Sequence, residues 1–161
     1  MSTSPNRAPQ SPGKGRRKDG NIDLQTARQM LPLVKSIVND IVRSTDRLQQ
    51  LEPEQATLEE HRRALTWTSR QRRYSITDEI NEALTNRTIA VAELDALGVA
   101  LVDPSAGEVD FPTRINGRPA AFSWQLGEDA VDHWRYSGET QRRPIPSDWQ
   151  SGTPLRFRAD A

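Results

Sequence analysis

Asp103, Asp110, Ser123, Glu128 and Arg135 could act together in chemistry, because they cluster in one short stretch of the chain. Paired carboxylates can share general acid–base work or hold a hard cation through oxygen. A guanidinium beside them could orient an anionic ligand group. Each residue also has a plainer use. Asp103 precedes Pro104 in a turn-forming run, where Asp commonly accepts from nearby backbone N–H groups. Glu128 follows Gly127 where a short helix is expected to open, and acids suit a helix start. Asp110 lies opposite Ser123 if the strands on either side of Asn116-Gly117 pair, and a Ser hydroxyl can donate to it. Asp110 therefore has the strongest case as a ligand-binding acid.

A second constellation is Arg62, Arg63, Arg70, Arg72 and Arg73, interleaved with Trp67 and Tyr74. Cations mixed with aromatic rings can bind single-stranded nucleic acid through phosphate contact and stacking. The plainer reading is a solvated helix face whose arginines pair with nearby acids. Other chemistries are missing from the sequence. There is no Cys, so disulfides, thiolate catalysis and Cys-based metal sites are excluded. His61 and His133 lie far apart without ligand spacing, so no metal site is expected. No Gly-rich phosphate loop or nucleophile motif occurs, no cofactor is implied, and no enzyme class stands out.

The elements that must position these residues are written in the patterning. A chain of 161 residues fits one domain with tails. Hydrophobic residues make up only 34% and charged residues 27%, which implies a thin core and elongated helices. The net charge is zero, so no overall field draws in nucleic acid or a membrane. No apolar run approaches the roughly 18 residues of a membrane span, and the basic N-terminus lacks an apolar signal core. A cytoplasmic location is the expectation.

Residues 1–21 read as a disordered basic tail, too polar to bury surface. Asp23 is placed as the cap of a helix running to about Gln50. Leu24, Ala27, Leu31, Val34, Val38, Ile41 and Leu48 recur in steps of three and four, with Thr45 the one polar member. Met30, Ile37 and Leu51 form a flanking row. Pro32 is expected to kink this helix, and Leu51-Glu52-Pro53-Glu54 to end it. A second helix is expected from Glu54 to Leu97, with Leu58, Leu65 and Trp67 as anchors and then Ile80, Leu84, Val91 and Leu94. A break near Tyr74 is suggested by Ser75 and Asp78. Strands are expected at 99–103, 108–115 and 118–125, with Phe111 facing Phe122 and Val109 facing Trp124. Pro112 predicts a bulge. A short helix is expected over 127–136 and a C-terminal tail over 147–161. The fold class is thus α+β: residues 22–146 form a single domain, with a coiled-coil-like antiparallel helical hairpin over 22–97, a small three-stranded antiparallel meander and the short helix.

These same residues carry a family resemblance. Ala27-Arg28, Leu31-Pro32, Gly98, Asp103, Gly107, Val109-Asp110-Phe111-Pro112 and Gly117 occur in that order. They are followed by Trp124, Leu126-Gly127-Glu128, Trp134 and Arg142-Arg143-Pro144-Ile145. As a set, this resembles an uncharacterised family of small bacterial proteins, domain of unknown function 2203. The resemblance implies no activity, cofactor or partner. Two positions depart from the family pattern. It usually has Cys where this chain has Ser123, and His where this chain has Arg135. A metal or thiol role built on that pair could not operate here. His133, two positions earlier on the expected helix, would point about 200° away and not substitute.

The leading expectation is a non-enzymatic interaction module that self-associates through its helices, because the flanking row on the first helix needs cover. A ligand- or cation-binding site around Asp110, Glu128 and Arg135 is the alternative. Nucleic-acid binding through the Arg-rich run is the third reading, set back by the neutral overall charge.

Overall fold

The computed structural model describes residues 20–150. Two long helices pack antiparallel and are followed by a five-stranded antiparallel meander. Helix α1 spans Leu24–Glu60 and α2 spans Trp67–Ala96. Asp23 caps α1, its carboxylate accepting from the Thr26 N–H at 2.7 Å.

The expected turn at Leu51–Glu54 lies inside α1, and the helix also continues without a break past Pro32. A proline inside a helix costs about 3 kcal/mol. Burying Leu48 and Leu51 against Ile76, Ile80 and Ala83 recovers about 1.5–3 kcal/mol for each large side chain, so the packing outweighs the lost bond at Pro53. Glu54 adds an ion pair to Arg72 of α2, 2.7 Å apart. The reversal comes instead at His61–Thr66, through a single 3-10 turn at Arg62–Ala64. Thr66 caps α2 by accepting from the Ser69 N–H, and α2 continues unbroken past Tyr74.

The α1 seam is buried as its spacing predicts, and Ile37 and Leu51 of the flanking row are buried too. The α2 seam is Ile76, Ile80, Ala83, Ala90 and Leu94. Leu84 is exposed rather than in the seam, and Trp67 is no anchor but open to solvent. The buried residues form two clusters. One joins the first half of α1 and the end of α2 to the sheet; the other, Leu48, Leu51, Ile76, Ile80 and Ala83, contains helix residues only. Thr45 and half-buried Arg87, the polar members of the two seams, fall between these clusters. The distal half of the hairpin is therefore an arm without sheet support.

The strands are β1 Ala100–Asp103, β2 Glu108–Ile115, β3 Arg118–Gln125, β4 His133–Tyr136 and β5 Arg143–Pro144, paired in that order. Gly107 holds the β1–β2 turn against α1. A side chain there would meet Leu126 Cβ at 2.8 Å and Val38 Cγ1 at 3.0 Å, and its φ of 71° already favours glycine. Pro112 causes no bulge. It pairs in register with Ala121, and its carbonyl accepts from the Ile22 N–H at 3.0 Å. Its nitrogen points the same way, beyond the last residue that pairs with β1, so no ladder bond is missed. The irregularity falls in β1 instead, between Leu101 and Asp103.

The expected short helix over 127–136 is a turn followed by β4. The spacing of Val131 and Trp134 suggested a helix, but β3 is eight residues long and would leave a free edge without β4. Trp134 stands across from Phe122 and packs edge-on to Tyr136, centroids 5.0 Å apart. The chain beyond residue 146 is not all tail. Ser147–Gln150 forms a 3-10 turn that packs Trp149 against Trp134, the rings tilted by 44° with centroids 5.2 Å apart. The readings for residues 1–19 and 151–161 fall outside the described residues.

Candidate functional site

The Asn116-Gly117 turn sets the site. Both residues have positive φ, 53° and 72°, as a two-residue hairpin turn of this hand requires. The register that follows is the expected one: Asp110 opposite Ser123, Phe111 opposite Phe122, Val109 opposite Trp124. Val109, Phe111, Phe122, Trp124 and Trp134 face the helices and join the main core. By alternation the other face carries Glu108, Asp110, Ser123, His133 and Arg135. His133 and Arg135 are strand neighbours at a spacing of two, so they share this face. The 200° separation expected on a helix does not apply.

This polar face is knitted by two arginines. Arg135 donates from Nη2 to Asp110 Oδ1 at 2.8 Å and from Nε to Asp110 Oδ2 at 3.4 Å. The same Nη2 lies 2.9 Å from Glu108 Oε1, so two carboxylates share one guanidinium. Arg142, just before β5, forks onto Glu128 with bonds of 2.6 and 2.8 Å. It also donates from Nε to the fully buried Ser123 Oγ at 2.9 Å. Glu128 accepts in addition from the Gln125 N–H at 3.2 Å. His133 Nδ1 lies 3.9 Å from Glu128 Oε2, and this nitrogen is buried without a hydrogen-bond partner.

The two acids are tuned in opposite senses. Burial pushes the Asp110 carboxyl above its ordinary value near 3.8, and the bonds from Arg135 only partly offset this because Glu108 presses on the same guanidinium. Burial alone would raise Glu128 as well. There the fork from Arg142 and the Gln125 N–H outweigh it, and its carboxyl is held below the ordinary value near 4.5.

The fold thus gathers Asp110, Ser123, Glu128 and Arg135. Asp103 is elsewhere: its Oδ1 accepts from the Ser105 and Ala106 N–H groups at 2.8 and 3.1 Å, closing the β1–β2 turn. Sequence reasoning missed Glu108 and Arg142. Glu108 shares a strand face with Asp110 at a spacing of two, a signal that was available. Arg142 stood in the sequence only as part of the family motif, and its bond to Glu128, made from a loop across 14 residues, was not legible. Among the described residues no group of three or more His, Cys, Asp or Glu stands close enough to hold a metal ion.

Of the Arg-rich run, Arg72 pairs with Glu54 and Glu79, and Arg73 with Glu59 at 2.6 Å. Arg62 lies within electrostatic reach of Glu59 without bonding it. Arg63 and Arg70 are exposed at the end of the arm, beside Trp67 and Tyr74.

These features define a class: an α+β protein in which a helical hairpin backs one face of an antiparallel meander and an ionic network fills the other. The chain matches the profile of the family described as Uncharacterized conserved protein (DUF2203) over residues 22–145, and it belongs to that family. No curated protein and no solved structure matches it.

Proposed function

We propose that this protein is a non-enzymatic interaction module that pairs with a second copy along the open flank of its helical hairpin. The carrying observation is that flank. Leu33 of α1 and Ile89 of α2 are 54% and 53% exposed on either side of it. Ile89 lines the first of two adjoining hollows of about 360 and 310 Å³, with Ser44, Ala83 and Ala90 also among their lining, and Leu33 lies two turns along α1 from Asp40, the first α1 residue of that lining. Small residues there allow a neighbouring helix to approach closely.

The support differs from the reason read in the sequence. The Met30, Ile37 and Leu51 row is largely covered by the chain itself, so it does not call for a partner. The outer row does. On α1 it runs Leu33, Asp40, Ser44, Arg47, and on α2 Glu79, Glu82, Asn86, Ile89, Glu93, both at heptad steps. Arg47 bonds Glu79 within the hairpin at 3.1 Å, which fixes the relative heights of the helices. Counting from that bond, Arg43 is level with Ala83, next to Glu82, and Leu33 is level with Glu93. A two-fold axis along the groove sets α1 of each copy over α2 of the other at equal height. Arg43 then meets Glu82 twice over, with the exposed Ile89 seated in the same groove.

Charge reversal tests this arrangement. Arg43→Glu and Glu82→Arg should each weaken self-association by about 1 kcal/mol or more, and the double variant should recover most of the loss. Additive losses without recovery would exclude this pairing. The alternative, a ligand site at Asp110, Glu128 and Arg135, has less support, because each of those charges already has a partner at bonding distance.

A further inference from the structure

We propose that the tip of the helical arm is a binding surface for single-stranded nucleic acid, with Trp67 and Tyr74 as stacking platforms and Arg63 and Arg70 as phosphate contacts. This surface lies on the first two turns of α2 and the 3-10 turn before them, ahead of the groove residues that begin at Glu79, and does not depend on self-association.

Trp67 and Tyr74 are 69% and 68% exposed, the most open large hydrophobic side chains among the described residues. They stand at i and i+7 with Arg70 at i+3, so the three line one stripe of α2. The rings are then about 10 Å apart along the axis, with a cation between them. Packing does not account for this exposure, since the arm's core is complete with Leu48, Leu51, Ile76, Ile80 and Ala83. Ion pairing does not account for the arginines either. Arg72 and Arg73 hold Glu54, Glu79 and Glu59, whereas no ion pair among the described residues involves Arg63 or Arg70.

The chain's net charge of zero hides a local excess. Between His61 and Thr77 there are five arginines and no acid, and the acids resume only at Asp78. Arg73 lies over the Tyr74 ring at 6.0 Å from its centroid, and the free guanidiniums interleaved with this ring and that of Trp67 suit a polymer that offers phosphates and bases together. A duplex hides its base faces and would use only the charges.

The test is fluorescence anisotropy of a labelled (dT)20 or (rU)20 strand titrated with the full chain, at several salt concentrations. Saturable binding is expected, weakening with salt and weaker for the matching duplex. Trp67→Ala and Tyr74→Ala should each weaken it about 5- to 100-fold, from the loss of one stacked base. Arg63→Ala with Arg70→Ala should flatten the salt dependence. All four side chains are exposed, so an unchanged thermal melt confirms that the variants are folded. No binding at low salt would overturn the proposal. So would duplex binding of equal strength, or binding that survives all four substitutions and therefore resides in the basic segment before residue 20. Competition by polyglutamate but not by single strands would assign the tip to an acidic protein instead, and would also overturn it.

Discussion

Glu128 and Asp110 should answer acid in opposite directions. Glu128 is held below its ordinary value, so it contributes stability above about pH 4.5 that is lost as pH falls through its folded value. Glu128→Gln should cost roughly 1–3 kcal/mol at pH 7, since it unpairs a half-buried Arg142, and the cost should shrink on acidification. Asp110 is held above its ordinary value, so its contribution is full below about pH 3.8 and lost as pH rises through its folded value. Asp110→Asn should cost about 1 kcal/mol or less at pH 7 and relatively more at low pH. Denaturant melts at pH 3.5, 5 and 7 check both, and two variants whose deficits shift the same way would contradict this reading of the network. The Asp110–Ser123 register was legible because Asn-Gly leaves one choice of turn. Arg135 was grouped with Asp110 in the sequence, but the bond between them was not legible. Arg135 reaches Asp110 from β4, and β4 was hidden behind a helix-like spacing of Val131 and Trp134.

At the scale of elements, α1 is the most readable part of the chain, because its heptads persist for the length of the seam. Its end was misjudged because Pro53 is a local signal, whereas burial of Leu48 and Leu51 is a long-range gain. The α2 seam was half legible. Ala83 and Ala90 fill seam positions that a search for large apolar residues passes over, and exposed Leu84 and Trp67 were the more visible residues. Replacing Val38 or Ile41 by Ala should cost about 1–4 kcal/mol, read as a drop in melting temperature, because both are fully buried between helix and sheet. Thr45 gives the opposite result. Its hydroxyl is buried without a hydrogen-bond partner, so Thr45→Val should raise stability by about 1 kcal/mol. A destabilised Thr45→Val would mean that the hydroxyl has a partner. Amide exchange should be faster in the arm beyond Leu48 than in the sheet-backed half, because the smaller cluster alone holds the arm.

At the scale of the whole molecule, one sheet face is spent on the core and the other is neutralised by its own arginines. The hairpin flank and tip are left as the open surfaces. Among the described residues no helix is long and apolar enough to cross a membrane. Pairing along the flank would make the mass depend on concentration, which sedimentation equilibrium of the full chain from low to high micromolar concentration measures. A reversible approach to twice the chain mass of 18.1 kDa is expected, shifted to higher concentration by Ile89→Glu with the thermal melt of the monomer unchanged. A single species of one chain mass across the whole range would contradict it.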